Sequence, residues 1–514
     1  MAAGFPQKSR GRPLSSRHLF PDHNLADRNL PDYDLRERKC SSMDRLQFHR
    51  RAGELRSLED ACRSPRAEMV IVCGRRRVGK TALIQKVCEG RETFWYTAKA
   101  WKDEYQLERF SDALSAWLGK AGVRFASWTA AFEACAAAPG EGRRILVIDE
   151  FQHIVQKHPG FLPELRAVWD DVLSKKNFLL ILLSSDVPCV EKDVLGDRSP
   201  LSALSGRTGT VLQVPPLSFQ SVSAFLPEYD VDDLFKGYAV LGGIPYYWQC
   251  IDARRSMEEN LALQLLRSNG FLHDEPPSLL REAFRDPSTY NAILRSIALG
   301  ASTRREIAKQ RHVDNRTLTK YLTVLEEMDL IEREFPVFSG PEEAGSASPG
   351  RYRFSDPLQK FWFRFLADAP DLILSQEEAQ LKWREMVEPS FDAFAHEAFA
   401  AACREYLLRR RFEGKLPAAR MHFGRWWSGD AEIDIVGADD ARQSCIAADC
   451  IYRQDAAGMK ELRLLQKKCA QLPVADDAVF SYWIFSRSGF DEALKNEAEA
   501  HSNIHLVPME ALLD

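Results

Sequence analysis

One stretch of eight residues decides how this chain folds: Gly74-Arg75-Arg76-Arg77-Val78-Gly79-Lys80-Thr81. It fits the phosphate-binding loop pattern G-x-x-x-x-G-K-[ST] at every fixed position. The apolar run Met69–Cys73 precedes it and predicts a buried parallel strand, and good helix formers follow it from Ala82. Strand, glycine loop and helix therefore come in the order that such a loop requires. The stretch predicts a nucleotide-binding domain built on a parallel sheet.

The chemistry of the loop assigns a role to each of its parts. Its glycines let the backbone approach phosphate oxygens, and successive N–H groups with the helix N-terminus supply partial positive charge. Lys80 is expected to reach the β- and γ-phosphates, and the Thr81 hydroxyl is expected to ligate Mg²⁺. A nucleoside triphosphate with Mg²⁺ is therefore the predicted ligand.

A second apolar run, Arg144–Ile148, is followed by two adjacent carboxylates, Asp149 and Glu150. In a phosphate-loop enzyme the first carboxylate holds Mg²⁺, and the second orients and activates the attacking water. Alone, the run is equally compatible with a buried strand that has an acidic end. Together with the loop it predicts one active site, with Asp149 as metal ligand and Glu150 as general base. Gln152 either positions water or the γ-phosphate or is an ordinary loop residue.

Two later features are candidate parts of the same site. Ser184 and Ser185 end the predicted fourth strand, where a hydroxyl can sense the γ-phosphate or simply cap the strand. Arg207, in the stretch Ser205–Thr208, is a candidate cation for the charge that develops in the transition state. A solvated surface role is the alternative for this lone arginine.

Size and composition limit the class of protein. At 514 residues the chain is too long for a single core and is expected to contain about three or four domains. Its net charge of −5 gives no global attraction to nucleic acid or to an anionic membrane. Eleven cysteines without metal-type spacing favour a reducing cytoplasm. No apolar run approaches a membrane span, and the polar, basic start does not resemble a signal sequence.

Periodicity divides the chain into segments. Residues 1–45 lack periodicity and are predicted to be a disordered tail. Residues 46–220 alternate strands and helices, which is typical of a parallel sheet with helices on both faces. Residues 221–285 form a predicted helical lid, interrupted by a turn signal at Gly242–Pro245.

Residues 286–357 contain a predicted winged helix. Thr303 and Glu306 form a capping box, and two short strands, Leu330–Glu334 and Arg351–Phe354, are the predicted wing. A groove of DNA is within reach of Asn315, Arg316, Thr317 and Lys320. Seven basic residues between positions 302 and 334 are nevertheless opposed by seven acidic ones, whereas DNA affinity needs an excess of positive charge. DNA binding, protein docking and a purely structural role all stay open.

Residues 358–514 carry carboxylates on two predicted strands, at Asp434 and Asp449. Many metal-dependent nucleases hold Mg²⁺ with an Asp on one strand and an acid two residues before a Lys on the next. Here Ile451 takes the position of the lysine. Asp434 and Asp449 can therefore supply the carboxylates of such a site, but the lysine is missing from the pattern.

Together these motifs resemble the archaeal-type P-loop ATPase family, which is related to the AAA+ and STAND switch ATPases and also occurs in bacteria. The resemblance runs from about Phe48 to the C-terminus. It rests on Phe48–Arg51, Gly74–Thr81, Ile148–Gln152, Ser205–Thr208, Tyr238–Pro245, Glu334–Val337 and Gly424–Asp434. It implies ATP as the nucleotide, a site closed by the lid and the winged helix, and hydrolysis that switches their arrangement. Residues 48–51 are implied to lie near the adenine.

For residues 358–514, the family's C-terminal domain of unknown function, the resemblance implies a nuclease-like (restriction-endonuclease-like) α/β fold. The chain departs from the family in this domain. Relatives show Glu-Cys-Lys-Trp where this chain has Asp449-Cys450-Ile451-Tyr452, and Ala400 replaces an expected glutamate. Without the lysine, a nuclease has little to stabilise developing negative charge. The domain is therefore predicted to bind a partner without cleaving DNA.

The leading hypothesis is a cytoplasmic, Mg²⁺-dependent ATPase that acts as a slow switch, with the C-terminal domain as its partner-binding output. One alternative is an ATP-regulated DNA nuclease. Another is a winged-helix DNA-binding regulator without turnover. The STAND relationship makes assembly on nucleotide a further possibility, in which Arg207 acts either within its own subunit or on a neighbour.

Overall fold

A computed structural model gives the fold. It describes residues 51–514 except 121, 139–141, 197–198, 200–208, 312–314, 340–349, 369–372 and 419. The predicted tail and Arg207 lie outside the described residues. Within the described part of the chain, no helix has the length and apolar character needed to cross a membrane.

The first sheet has five strands, all paired in parallel. Its strands are β1 (Glu68–Cys73), β2 (Thr93–Thr97), β3 (Arg144–Asp149), β4 (Phe178–Ser184) and β5 (Gly209–Gln213). They lie in the spatial order β2-β3-β4-β1-β5. Every residue of β3 and β4 is buried, as expected for strands covered on both faces. The prediction of an α/β fold with a parallel sheet is confirmed.

Helices cover both faces of this sheet. They are α1 (Ala52–Arg63), α2 (Lys80–Cys88), α3 (Asp103–Trp117), α4 (Trp128–Ala136), α5 (Gln152–Lys157) and α6 (Phe161–Asp171). Alternate residues along each strand belong to different cores, because successive side chains point to opposite faces. Val70 packs with α1 and α2, whereas its neighbour Ile71 packs with the aromatic residues of α3, α4 and α6.

The main helices of the predicted lid are α7 (Val231–Leu241), α8 (Met257–Leu261) and α9 (Glu275–Ala283), with a short helix at Pro245–Trp248 between the first two. Their core is continuous with the C-terminal segment. The ring of Phe235 lies 5.4 Å from that of Phe399 and 5.0 Å from that of Tyr452. A shared core therefore crosses the domain boundaries drawn from sequence, and those boundaries stay predictions.

The next segment has three helices and two strands: α10 (Ser288–Ala298), α11 (Arg304–Arg311), α12 (Asn315–Glu327), β6 (Ile331–Glu334) and β7 (Arg351–Phe354). β6 and β7 pair in antiparallel fashion. The capping box is present, since the Thr303 N–H donates to Glu306 Oε2 at 2.8 Å and the Glu306 N–H to Thr303 Oγ1 at 3.3 Å. The order of elements matches the prediction, and its identification as a winged helix remains a prediction.

The C-terminal part contains the helices α13 (Pro357–Phe361), α14 (Gln376–Lys382), α15 (Glu388–Phe412), α16 (Met459–Cys469) and α17 (Glu492–Ala500). Its strands are β8 (His422–Ser428), β9 (Ala431–Ala438), β10 (Ser444–Ile451), β11 (Val479–Ser486) and β12 (Ile504–Pro508). They form a mixed sheet in the order β12-β11-β10-β9-β8. The pairs β8–β9 and β9–β10 are antiparallel, and the other two are parallel. Whether the domain is nuclease-like stays a prediction.

Candidate functional site

The loop from Gly74 to Thr81 joins the end of β1 to the first turn of α2. Its backbone is left-handed at Arg77, with φ of 68°, and at Gly79, with φ of 97°. A Cβ atom at Gly74 would lie 2.4 Å from the carbonyl oxygen of Val214. Glycine is therefore required at position 74 by the close approach of the chain that follows β5.

Lys80 is folded back onto the loop. Its ammonium group donates to the carbonyl oxygens of Gly74 at 2.7 Å and Arg75 at 2.9 Å. Only 5% of the residue is exposed. Burial lowers the pKa of Lys80, while the charges of Glu150 and Asp149 oppose that shift. The ammonium group thus lies beyond the carboxyl end of β1. It donates to backbone carbonyls and feels the charges of two carboxylates.

Asp149 lies at the end of β3, opposite the start of α2. The Thr81 hydroxyl donates to Asp149 Oδ2 at 3.1 Å. The other carboxylate oxygen, Oδ1, is buried and has no hydrogen-bond partner among the described residues. Burial raises the pKa of Asp149, as does the neighbouring charge of Glu150, and the hydroxyl of Thr81 opposes both. The loop and the acidic strand end are therefore adjacent.

These oxygens fit a magnesium ion. Mg²⁺ prefers oxygen ligands, and in nucleotide sites it takes one or two carboxylates, substrate phosphates and several waters. Thr81 and Asp149 offer a hydroxyl and a carboxylate, and Oδ1 of Asp149 is a buried acceptor that a cation would satisfy. Among the described residues, no group of three or more His, Cys, Asp and Glu side chains could hold a metal. An ion shared with nucleotide phosphates does not need such a group.

Glu150 is positioned by its backbone and by two polar neighbours. Its φ of 55° turns the chain at the end of β3. Oε2 accepts from the Ser185 hydroxyl at 2.6 Å, from the Ser185 N–H at 3.3 Å and from Gln152 Nε2 at 2.5 Å. Burial alone would raise the pKa of Glu150, but the hydrogen bonds from Ser185 and Gln152 outweigh it, and the pKa is lowered. Glu150 is thus an ionised carboxylate beside Asp149.

The two serines after β4 have different surroundings. The Ser185 hydroxyl donates to Glu150, whereas the Ser184 hydroxyl donates to the carbonyl oxygen of Asp186 at 3.2 Å. Gln152 also reaches Ser185, at 3.2 Å between Nε2 and Oγ. Ser185, Gln152 and Glu150 therefore form one polar cluster, and Ser184 caps its strand.

The three arginine side chains of the loop contact segments that follow the sheet. Arg75 forms a 2.8 Å ion pair with Asp329 and donates to the Ser355 carbonyl oxygen at 2.7 Å. Arg76 pairs with Glu282 at 3.1 Å, in an exposed position. Arg77 pairs with Glu275 and lies over the ring of Tyr246, 4.3 Å from its centroid. These ion pairs and hydrogen bonds connect the loop to the predicted lid and to the region of β6 and β7.

The second carboxylate pair lies in the C-terminal sheet. The ladder between β9 and β10 ends at Ala448↔Ile435, next to Asp434 and Asp449. Beyond it the Asp434 carboxylate accepts from the Cys450 N–H at 2.9 Å. We call this opening between the two strands, with Asp434 and Asp449, the fork.

Each carboxylate of the fork contacts a basic side chain. His396 Nε2 lies 3.3 Å from Asp434, and Lys468 Nζ lies 3.0 and 3.2 Å from the two oxygens of Asp449. Burial would raise the pKa of Asp434, but His396 outweighs it and the pKa is lowered. Burial raises the pKa of Asp449 to about 6, although Lys468 opposes the shift. The two acids thus have opposite shifts.

Neither of these two basic side chains was predicted from the sequence to be a partner of the fork acids. Lys468 lies on α16, 19 residues after Asp449, and no motif spacing indicates it. His396 lies one helical turn before Ala400 on α15, so helix periodicity places it on the same face as the position where a glutamate was expected. Helix periodicity was the one signal in the sequence that could have identified His396. The fork also contains an ammonium group, which Lys468 supplies from α16, whereas the family pattern places a lysine at position 451.

Two segments of the chain match known families. Residues 48–249 match the model of an ATPase domain predominantly from Archaea. Residues 362–468 match a family described as archaeal and bacterial proteins of unknown function. An uncharacterized protein of Methanocaldococcus jannaschii is 29% identical over 393 residues, which cover 76% of this chain and 84% of that protein. Residues 48–249 therefore carry an ATPase domain, and this match supports ATP binding and hydrolysis.

Solved structures are similar at lower identity. The Walker-type ATPase of Pyrococcus abyssi is 20% identical with a TM-score of 0.47, over 61% of this chain and 95% of that one. Cdc6p from Pyrobaculum aerophilum is 14% identical with a TM-score of 0.32, over 65% of this chain and 94% of that one. Neither likeness bears on what this chain binds.

Proposed function

We propose that this protein hydrolyses ATP with Mg²⁺ at the loop that follows β1. The observation that carries the proposal is the contact of 3.1 Å between Thr81 and Asp149, beside a carboxylate oxygen that has no hydrogen-bond partner among the described residues. Thr81 and Asp149 would hold the ion, and the loop N–H groups would bind the phosphates. When bound, Mg²⁺ supplies positive charge that neutralises the phosphate oxygens.

The side chains around the ion have separate tasks. Lys80 exchanges its loop carbonyls for the β- and γ-phosphate oxygens, since a phosphate is the stronger acceptor for an ammonium group. Glu150 takes a proton from the attacking water, because it is ionised and lies beside Asp149. Ser185 and Gln152 fix its carboxylate by hydrogen bonds. Arg207 is a candidate cation for the transition state.

The experiment that tests this function is phosphate release from ATP by the purified full chain. We expect turnover with Mg²⁺ and none in excess EDTA. The variant Asp149→Asn should lose Mg²⁺-dependent turnover, whereas Asp112→Asn, an exposed aspartate on α3, should resemble the parent. Turnover by Asp149→Asn at the parent rate would contradict the metal assignment.

We further propose that nucleotide binding changes how the segments after the sheet are arranged. Arg75 directly follows Gly74, whose carbonyl oxygen accepts a hydrogen bond from Lys80. The same arginine contacts Asp329 after α12 and Ser355 after β7. Repositioning of the loop around a triphosphate therefore acts directly on the region of β6 and β7.

Nucleotide-dependent protease protection tests this coupling. We expect ATP to change the cleavage pattern of the parent protein and to change it much less in Arg75→Ala. Arg76→Ala is the matched control, because the Arg76–Glu282 pair is exposed and such pairs contribute only about 0–1 kcal/mol. Equal nucleotide responses in the two variants would refute the coupling through Arg75.

For the C-terminal domain we propose a partner-binding role without DNA cleavage. Asp434 already contacts His396, and Asp449 already contacts Lys468. A metal ion would have to displace these basic side chains to bind the two carboxylates. The nuclease alternative nevertheless draws support from Lys468, which places an ammonium group beside Asp449. Incubation of plasmid DNA with the protein and Mg²⁺ or Mn²⁺ decides between them. Cleavage that Asp434→Ala abolishes would establish the nuclease.

Assembly and DNA regulation remain separate proposals. Sizing the protein with and without a non-hydrolysable ATP analogue tests whether nucleotide drives assembly. Salt-dependent retention on DNA, weakened by Arg316→Ala and Lys320→Ala, would favour a DNA-binding regulator. No retention at low salt would exclude that alternative.

A further inference from the structure

A basic cavity lies where the strand β7 meets α15 and β8. Its volume is about 320 Å³. Five cationic side chains line it: Arg351, Arg353, Lys360, Arg364 and Arg425. Only two carboxylates line it, those of Glu334 and Glu397. No residue of the ATP site contributes to this basic cavity.

A second cavity, of about 440 Å³, adjoins the same pair of strands and has the opposite charge. It is lined by the cations Arg75 and Arg333 and by the carboxylates of Glu191, Glu326, Asp329 and Glu332. The lining of the basic cavity therefore has three more cations than anions, and the lining of the second cavity has two more anions than cations. Since the whole chain carries a net charge of −5, the basic cavity is a local concentration of positive charge.

Neighbouring acids do not balance this charge completely. Glu332 pairs with Arg353, and Glu432 pairs with both Arg351 and Arg425, so four carboxylates face five cations. Arg364 forms no ion pair within the described part of the chain. Its guanidinium donates to the carbonyl oxygen of Ala298 at 3.0 Å.

The guanidinium groups also have unused donors. The Nε atoms of Arg353, Arg364 and Arg425 are buried and make no hydrogen bond within the described residues, although Arg353 Nε lies 3.9 Å from the Glu334 carboxylate. Unpaired buried donors are rare in proteins and cost about 1–3 kcal/mol each. These donors indicate an acceptor that the protein itself does not supply, and the guanidinium fork matches phosphate oxygens as it matches carboxylates.

We propose that the basic cavity binds phosphate groups of a nucleic acid backbone. A polyanion suits the site better than a single ion, because a second basic segment begins beside the cavity. Gly300 and Ser302 line the cavity, and α11, which carries Arg304 and Lys309, begins two residues after Ser302. The cavity supplies attraction to phosphate and no contact that distinguishes one base sequence from another.

Fluorescence anisotropy with labelled single- and double-stranded oligonucleotides tests the proposal on the full chain. We expect Arg364→Ala to weaken binding about tenfold and to reduce the slope of log K against log salt by about 1, the weight of one phosphate contact. Arg364→Lys keeps the charge and should retain most of the slope. Arg56→Ala is the control, since Arg56 also donates to a backbone carbonyl but lies on α1.

The outcomes separate the site from its alternatives. Parent-like binding and slope in Arg364→Ala, with an unchanged melting temperature, would overturn the proposal. So would binding of inorganic tripolyphosphate without binding of either oligonucleotide, which would identify a site for free phosphate. ATP turnover should be the same in Arg364→Ala and the parent, so a failure here is distinguishable from a failure of the ATPase assignment.

Discussion

Each five-stranded sheet carries a pair of neighbouring carboxylates, at the end of β3 in the first sheet and where the β9–β10 ladder ends in the second, and their surroundings make the two pairs different. At the end of β3, Asp149 Oδ1 is buried and has no hydrogen-bond partner among the described residues, and Lys80 donates to backbone carbonyls there. In the fork, Asp434 and Asp449 are each matched by a basic side chain. The first arrangement has unused capacity for a cation and phosphates, whereas the second is largely neutralised.

Two neighbouring carboxylates on a sheet therefore do not by themselves identify a metal site. What decides is whether the neighbouring cation can leave its present acceptors. Two carbonyl oxygens hold Lys80, and neutral acceptors are weaker than phosphate oxygens. A buried carboxylate holds Lys468 through both of its oxygens, and separating that pair would leave a buried charge uncompensated.

The largest expected effect is the loss of ATP binding in Lys80→Ala. The ammonium group at position 80 is the only charge that the loop itself can direct at the β- and γ-phosphates, because Arg75, Arg76 and Arg77 contact acids elsewhere. Titration calorimetry with ATP and Mg²⁺ measures the effect. Lys86→Ala, an exposed lysine on the same helix, should bind as the parent does.

Next in size is the effect of Glu150→Gln on turnover. The variant should bind ATP normally and hydrolyse it about 10²–10⁴-fold more slowly, which is the usual weight of a general base. Steady-state phosphate release and calorimetry together separate the two effects. Glu89→Gln, an exposed glutamate, is the control. A parent-like rate in Glu150→Gln would show that another group activates the water.

The pH dependence of stability should distinguish the two acids of the fork. The pKa of Asp449 is raised to about 6, so this group stabilises the fold fully below about pH 4, and that stabilisation is lost as the pH rises through 6. Two pKa units correspond to at most about 3 kcal/mol. Asp434, whose pKa is lowered, contributes above pH 4 and loses its contribution as the pH falls.

Urea unfolding between pH 2 and pH 8 measures this difference. Relative to the parent, Asp449→Asn should gain free energy of unfolding as the pH rises from 4 through 6. Asp434→Asn should lose it, relative to the parent, as the pH rises toward 4, and should run parallel to the parent above that pH. Parallel curves for the two variants would mean that the fork titrates as a unit, and the comparison with the β3 end would then lose its basis.

The smallest expected effect is that of Lys468→Met. Removal of one partner from a buried pair costs about 3–5 kcal/mol, and the partial exposure of Lys468 reduces the expected loss to about 2 kcal/mol. Urea unfolding at pH 7.5 measures it, with Lys467→Met on the same helix as control. ATP turnover should not change. If Lys468→Met were as stable as the parent, Asp449 would have to be protonated in the variant at pH 7.5, so that no unpaired charge is buried.

The strand, loop and helix around Lys80 could be predicted from sequence, and so could the apolar run that ends at Asp149. The first is a motif with fixed spacing over a few residues, and the second is an apolar run of strand length, which predicts a buried strand. The pairing of Thr81 with Asp149 also followed, because the carboxyl ends of parallel strands meet at one edge of a sheet. The different surroundings of Ser184 and Ser185 did not follow, since both are hydroxyls at the same strand end.

The sequence by itself therefore determined the parallel sheet, the phosphate loop and the candidate acids, because local periodicity and motif spacing specify them. Only the tertiary structure decided which partner each charged side chain meets. Arg75 contacts residues 254 and 280 positions away, and Lys468 reaches Asp449 from another helix. Such contacts depend on how whole elements pack, and no short pattern encodes them. The same packing gave both fork acids a basic partner and left Asp149 Oδ1 without a hydrogen-bond partner among the described residues.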